Sequence, residues 1–178
     1  TLNRIVSSLL AYTRPVHLQI QEINLMEVVW EALQFAQLHQ IGEQTVFHPD
    51  IELDYPTASA EYPIFCDAQQ LRQVILNLLI NAAQAIPEKG TVSISICSQL
   101  PAKPFQVVLP HESEKTHFFL LIADNGTGIS EENAAKLFHR FFTLKEKGTG
   151  LGLPICKKIL ESHQYGLGFY SQISEGTC

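Results

Sequence analysis

No two of the four cysteines stand close enough to make a C-x-x-C pair. That absence excludes a zinc knuckle and a dithiol redox motif, and leaves Cys66, Cys97, Cys156 and Cys178 as reduced, buried thiols of an expected cytoplasmic protein. Charge is sparse at 17% and its balance is acidic, 12 Lys and Arg against 18 Asp and Glu, for a net charge of −6. A general nucleic-acid or anionic-membrane surface needs the opposite sign, so neither partner is expected; a local pocket for an anion is still allowed. No apolar run approaches the length of a bilayer span: 118–123 is among the longest. No basic leader followed by an apolar stretch opens the sequence, and repeats and low-complexity tracts are lacking. What remains is 178 residues with 46% hydrophobic content, enough for one domain with a sizeable core. The chain opens at Thr1 within an amphipathic pattern, so it is expected to be a fragment of something longer.

Leu2, Ile5, Val6, Leu9 and Leu10 recur at helical spacing until Arg14-Pro15 ends the pattern. A short extended link over 16–23 leads to Asn24, which can cap a second helix with Leu25, Val28, Val29, Ala32, Leu33 and Ala36 on its apolar face and Gly42 beyond its end. Residues 45–54 read as a strand or hairpin arm and 64–66 as a short strand. Asp67 then caps a long helix to Ile86, stopped by Pro87 and Gly90. Strand-like alternation over 91–97 is followed by a loop or protruding hairpin over 98–116. The run 118–123 reads as a central strand buried on both faces. Ser130 caps a short helix, 139–149 is irregular, 151–163 is helical despite Pro154 in its first turn, and 167–173 is a last strand. Helices interleave with strands that also follow one another directly, which predicts an α+β fold: a two-layer sandwich of a mixed sheet with helices on one face.

The long helix carries the first chemical signal. Leu71, Val74, Ile75, Leu78, Leu79, Ala82, Ala85 and Ile86 form a wide core face, and Leu76, Ile80 and Ala83 widen it. Between them runs a narrow uncharged strip of Gln70, Gln73, Asn77, Asn81 and Gln84. Such a strip suits a partly enclosed polar cavity, although amides that merely face water or a neighbouring loop produce the same pattern. Asn77 and Asn81 lie one turn apart and point the same way. An amide oxygen is a hard ligand, suited to a Mg²⁺ that also holds phosphate oxygens.

Two glycine clusters follow. Asp124-Asn125-Gly126-Thr127-Gly128-Ile129 comes at the end of the apolar strand, where a carboxylate can accept a hydrogen bond from an exocyclic amine such as that of adenine. Gly148-Thr149-Gly150-Leu151-Gly152 precedes a helix whose free amides and positive dipole end suit phosphate, with Lys145 and Lys147 just before it. Neither cluster fits the dinucleotide fingerprint, because Glu131 and Leu153 stand where the third glycine belongs, and no P-loop string occurs.

The order of these features resembles the ATP-binding domain of sensor histidine kinases, from about residue 24 onward. The stretch 77–82 looks like the N box, 124–129 like the first glycine box, 138–145 like the F box and 148–153 like the second glycine box. The short segment 142–148 resembles the compact lid of the nitrogen-regulator type. Residues 1–23 are similar to the end of a dimerisation and phosphotransfer helix plus a linker, with the catalytic domain over 24–178. The resemblance implies the Bergerat-type fold, a left-handed-crossover α/β sandwich shared with gyrase-type ATPases. It implies ATP and Mg²⁺ as cofactors. Asn81 would hold the metal, Asn77 would face the same phosphates, and Asp124 would read the adenine amine. Gly126, Gly128 and Ile129 would shape the pocket, and Lys145, Gly148, Thr149, Gly150, Leu151 and Gly152 would serve the phosphates. Thr177, within 174–177, would close the adenine side. The reaction implied is transfer of the γ-phosphoryl group to a histidine, with a response-regulator receiver domain downstream and a homodimer in the full-length protein.

Three departures accompany the resemblance. Many relatives carry lysine where Gln84 stands, which removes a charge partner for phosphate, and proline where Arg140 stands. The acceptor string His-Glu-x-x-Asn-Pro-Leu is absent; His111-Glu112 shares only its first two letters and reads as a loop pair. Two other functions stay open: a nucleotide-binding regulatory module without transferase activity, and a gyrase- or MutL-like ATPase. The second needs a glutamate base where Asn77 stands, and an amide cannot take a proton from water.

Overall fold

The computed structural model describes residues 17–38, 40–41, 44–45, 47–48, 50–56, 60–109, 118–145 and 148–178. The expectations for 2–14, Gly42, His111 and Lys147 lie outside them. The link ahead of the first described helix is extended, and its end forms β1, Gln21–Asn24. At that end the Asn24 side-chain oxygen accepts the Met26 N–H at 3.1 Å and the Tyr62 N–H at 3.1 Å. The cap starts α1, Leu25–Leu38, which buries Leu25, Val28, Val29, Ala32, Leu33 and Ala36, the face that the period of 3.6 predicts. Two short strands, β2 (Gln40–Ile41) and β3 (Gln44–Thr45), pair with each other. Then come β4 (Ile51–Asp54), β5 (Pro63–Cys66) and α2 (Ala68–Ala85). β5 pairs antiparallel with β1, Gln21 opposite Cys66.

α2 carries the chain from β5 to β6, Gly90–Cys97, which lies parallel to β4 with Leu53 opposite Val92. β8, Phe119–Asp124, runs antiparallel to β6. The chain ends in β10 (Ser171–Gln172) and β11 (Gly176–Thr177), giving a mixed five-stranded sheet in the order β10-β11-β8-β6-β4. α2 packs against α1, against β6 and β8, and against α4, Gly152–Ser162. Val74, Ile75, Leu79, Val92, Leu151, Cys156 and Ile159 meet in one core between the helices and the sheet. This is the expected two-layer architecture with helices on one face. No helix among the described residues is long and apolar enough to cross a membrane.

Asp67 ties three parts of this layer together. It is 7% exposed. Its carboxylate accepts the Gln70 N–H at 3.1 Å, capping α2, and the Gln19 N–H of the link at 3.0 Å. Its own N–H donates to His163 Nε2 at 3.1 Å, just past the end of α4, while His163 Nδ1 meets the Ile159 carbonyl at 2.8 Å. That pairing places the ring proton on Nδ1. Losing a charged cap and a second buried N–H acceptor is expected to cost about 2–3 kcal/mol in Asp67→Ala, measured by urea unfolding. Asp67→Ser, which keeps a capping oxygen, is expected to cost about half of that.

Three local expectations need correction. Residues 98–116 are not all loop: Gln106–Leu109 forms β7 and pairs with β9, Leu167–Phe169. β8 is central in the sheet but only half-buried at every position. The last strand breaks at Tyr170 into β9 and β10, and a turn with Ser174 at φ 64° returns β11 alongside β10.

Candidate functional site

The wall of the site that lies on α2 consists of the amide strip. Asn77 and Asn81 are half-buried and Gln84 is exposed. Asn77 hydrogen-bonds the thiol of Cys156 on α4, and that thiol lies under the carbonyl of Val74 at 3.9 Å. Burial pushes the Cys156 thiol up to about 12, so it packs helix against helix and is no nucleophile. Four residues on, the Asn81 side-chain oxygen accepts a hydrogen bond from Lys145 Nζ at 2.8 Å, and Gln84 Oε1 accepts from the same ammonium at 2.7 Å. Burial lowers Lys145 to about 8, against the pull of the Asp124 carboxylate that raises it.

The end of β8 makes the second wall. Asp124 stands opposite Val92 on one side and Thr177 on the other. Burial raises its pKa, and the N–H groups of Gly126 and Thr177 and the charge of Lys145 oppose that rise. Its Oδ1 accepts the Gly126 N–H at 2.9 Å. The loop is then stitched to its surroundings. Asn125 Oδ1 accepts the Thr91 N–H at 2.8 Å, and the Thr127 N–H donates to the Ala85 carbonyl at the end of α2 at 3.0 Å. Gly128 has φ 67°, and a side chain there would run into the carbonyl of Gln172. Ser171 locks this wall to the chain end: its hydroxyl accepts the Ile129 N–H at 2.9 Å, donates to the Gly176 carbonyl at 3.1 Å, and meets Thr177 Oγ1 at 2.8 Å. Sequence reasoning missed Ser171, because a serine between Tyr170 and Gln172 carries no mark of its role.

The segment before α4 makes the third wall. Ser130 caps the short α3, Glu131–Ala134, and the chain then runs through Phe138 to 141–145. The Phe141 N–H donates to the Gly150 carbonyl at 2.9 Å. Gly150 has φ 63° and backs directly onto the Phe141 backbone, which leaves no room for a Cβ. The Gly148 N–H donates to the Lys145 carbonyl at 3.1 Å, and Thr143 Oγ1 accepts the Lys145 N–H at 3.1 Å. Thr149 is half-buried between these anchors. Leu151 is 1% exposed and fixes the start of α4 in the core, yet no side chain caps that start. A Cβ placed on Gly152 would sit 3.9 Å from the Asn77 amide. An uncapped helix N-terminus, bare of side chain, therefore faces Asn77.

The structure thus brings Lys145 onto Asn81 and within electrostatic reach of Asp124, sets Gly126 and Thr177 against Asp124 and Gly152 beside Asn77, and ties Ile129 to Ser171. Gly128 packs on Gln172, Gly150 on Phe141, Leu151 is buried in the core, and Gly148 and Thr149 lie in the segment between Lys145 and Gly150. Positive charge, from an uncapped helix start and an ammonium, stands beside neutral amide oxygens, and the Asp124 carboxylate lies within electrostatic reach of that ammonium. Such groups can take a molecule that carries both an anionic group and an amine. A separate cleft of about 230 Å³ lies against β1 and the start of α1, lined by Glu22, Glu27 and Glu61 among others. Its carboxylates have the wrong sign for that anionic end.

Comparison with known proteins agrees with the fold. Residues 66–178 match the family described as histidine kinase-, DNA gyrase B- and HSP90-like ATPase. The sensor histidine kinase ZraS of Salmonella typhimurium is 33% identical over 162 residues, covering 91% of this chain and 30% of its own length. The chain therefore spans less than a third of that relative. Among solved structures, the mycobacterial sensor histidine kinase MprB aligns with a TM-score of 0.66 at 25% identity, over 89% of this chain and 92% of that one. Histidine kinase ThkA in complex with response regulator protein TrrA aligns with a TM-score of 0.68 at 26% identity, over 99% of this chain and 45% of that one. With a family match over most of its length and a mixed sheet under three long helices, the chain belongs to the histidine kinase-, DNA gyrase B- and HSP90-like ATPases, as a domain of the histidine kinase type.

Proposed function

We propose that this chain is the ATP-binding catalytic portion of a two-component sensor histidine kinase. It binds ATP and places the γ-phosphoryl group for in-line transfer to a histidine carried on a dimerisation and phosphotransfer segment. The P–O bond to ADP breaks as the P–N bond to the imidazole forms. The chain contributes positioning and charge neutralisation, with no covalent intermediate of its own. Asp124 accepts from the adenine amine, Gly126, Gly128 and Ile129 give the ring a flat backbone surface, and Thr177 closes that side under the control of Ser171. Lys145, Gly148 and Thr149 and the amides of Gly150, Leu151 and Gly152 hold phosphate oxygens.

Asn81 would hold Mg²⁺ through its side-chain oxygen, with Asn77 toward the same phosphates. The fit is supported by this structure: the Asn81 oxygen already meets a cationic group, the Lys145 ammonium at 2.8 Å. When bound, the ion neutralises charge on the phosphates and orients them. One turn before Asn81 stands Asn77, which cannot accept a proton from water, and this favours transfer to histidine over hydrolysis.

The observation that supports the reading is a chain of contacts: the uncapped start of α4 at Gly152 lies beside Asn77, Asn81 holds the Lys145 ammonium, and that ammonium feels the charge of Asp124. The test supplies a separate phosphotransfer helix pair of a relative and radiolabelled ATP. Label is expected on the acceptor histidine only when this chain and Mg²⁺ are both present, together with calorimetric binding of Mg-ADP. An absence of nucleotide binding overturns the proposal. A response-regulator receiver domain is the partner proposed to take the phosphoryl group onward, in a homodimeric full-length protein; the neighbour ThkA is seen with its response regulator.

A further inference from the structure

Lys145 belongs to the irregular segment before α4, yet its ammonium is anchored on α2. Gln84 Oε1 lies 2.7 Å from Nζ and Asn81 Oδ1 lies 2.8 Å from it. Residues three apart on a helix project from the same face, so the two side-chain carbonyls form a fork. Both prongs are neutral. They fix the position of the ammonium without adding a negative charge beside it, which a carboxylate prong would do. A lysine on a loop has four rotatable side-chain bonds to immobilise, and the fork has done so before any ligand arrives.

We infer that Gln84 is a positioning residue for the anionic end of the site: with Asn81 it holds the Lys145 ammonium over α2, where a lysine at position 84 would itself put a charge. The inference rests on the pocket being a nucleotide site. Within it, the cation that the helix lacks at position 84 is delivered from the lid. Whenever the Asn81 oxygen is engaged elsewhere, Gln84 alone keeps Lys145 in place.

Two measurements test this. The first is calorimetric affinity for Mg-ADP in the wild type, Gln84→Met, Lys145→Met and the double variant Lys145→Met/Gln84→Lys. Lys145→Met is expected to bind about tenfold more weakly and Gln84→Met about three- to fivefold more weakly. The double variant is expected to return to within about twofold of the wild type, because its new ammonium starts from the helix and reaches the same spot. The second is trypsin cleavage after Lys145 in nucleotide-free protein, located by mass spectrometry. Gln84→Met is expected to be cut faster than the wild type at an unchanged thermal midpoint, and Gln84→Glu, which keeps an acceptor, no faster. Wild-type behaviour of Gln84→Met in both measurements, or a double variant as weak as Lys145→Met, overturns the inference. A wild type that binds no Mg-ADP overturns the nucleotide reading instead, and the cleavage rates then decide the role of Gln84 alone.

Discussion

Asp124→Asn is expected to weaken ADP binding by about two orders of magnitude while the protein stays folded. The substitution is nearly isosteric, so its effect isolates chemistry from packing. The Asp124 carboxylate accepts the Gly126 N–H at Oδ1, 2.9 Å away, and the Thr177 N–H as well, and an asparagine keeps the first of these bonds by presenting its own oxygen there. The amide NH₂ then replaces the second carboxylate oxygen. A donor faces the purine amine where an acceptor stood, and a half-buried site cannot recruit water to repair the mismatch cheaply. Sites built to accept from a ligand lose far more on such an exchange than apolar pockets lose on the removal of a methylene. The fold is expected to survive because the core beneath the loop, Val92, Ile75 and Leu79, is untouched. Calorimetry with Mg-ADP and a thermal melt measure the two halves of this expectation. An affinity within about threefold of the wild type removes Asp124 from the purine-reading role.

The same region shows what a sequence can and cannot disclose. α2 was legible because two independent periodic signals coincide on it: an apolar face at helical spacing and a strip of uncharged amides beside it. Asp67 as its cap and Pro87-Gly90 beyond it left little freedom in its bounds. The glycine clusters were legible as sequence order, since a strand end and a helix start are local features. The pairings were not. β1 meets β5 across some forty residues, and β7 meets β9 across a longer gap; four- and three-residue strands carry too little alternation to declare a partner. β11 has two residues, and its place beside Asp124 depends on the turn at Ser174. The half-burial of β8 was hidden for another reason: a continuous apolar run looks alike whether its surroundings cover it fully or in part. Gln84 was read as a missing charge because its partner is 61 residues away on an irregular segment. Side-chain contacts of that kind follow from tertiary packing, which periodicity does not encode.

Asn81→Ala is expected to lower phosphoryl transfer to a supplied acceptor histidine by about 10³-fold or more, roughly 4 kcal/mol of lost transition-state stabilisation. Two losses combine. The amide oxygen proposed to hold Mg²⁺ disappears, and no neighbouring side chain of α2 replaces it: Asn77 lies a turn away toward α4, hydrogen-bonded to Cys156, and Gln84 already holds Lys145. The Lys145 ammonium also loses one of its two acceptors, so the charge proposed to serve the phosphates is less well placed. Purine recognition, proposed for Asp124, is expected to stay intact. The signature is therefore a split. In Asn81→Ala, ADP affinity without Mg²⁺ is expected to fall only about twofold, and the gain in affinity on adding Mg²⁺ is expected to vanish. In Asp124→Asn, the loss is expected to be the same with and without the metal, because the defect lies at the other end of the ligand. Asn81→Asp separates the two contributions to the first variant. It restores an oxygen ligand and a partner for Lys145 but adds a negative charge beside the phosphates, so metal-dependent binding is expected to recover in part while transfer stays low. An Asn81→Ala protein that keeps its full Mg²⁺-dependent gain in affinity shows that the metal is held by other groups, and the role of the α2 amide strip then reduces to holding Lys145.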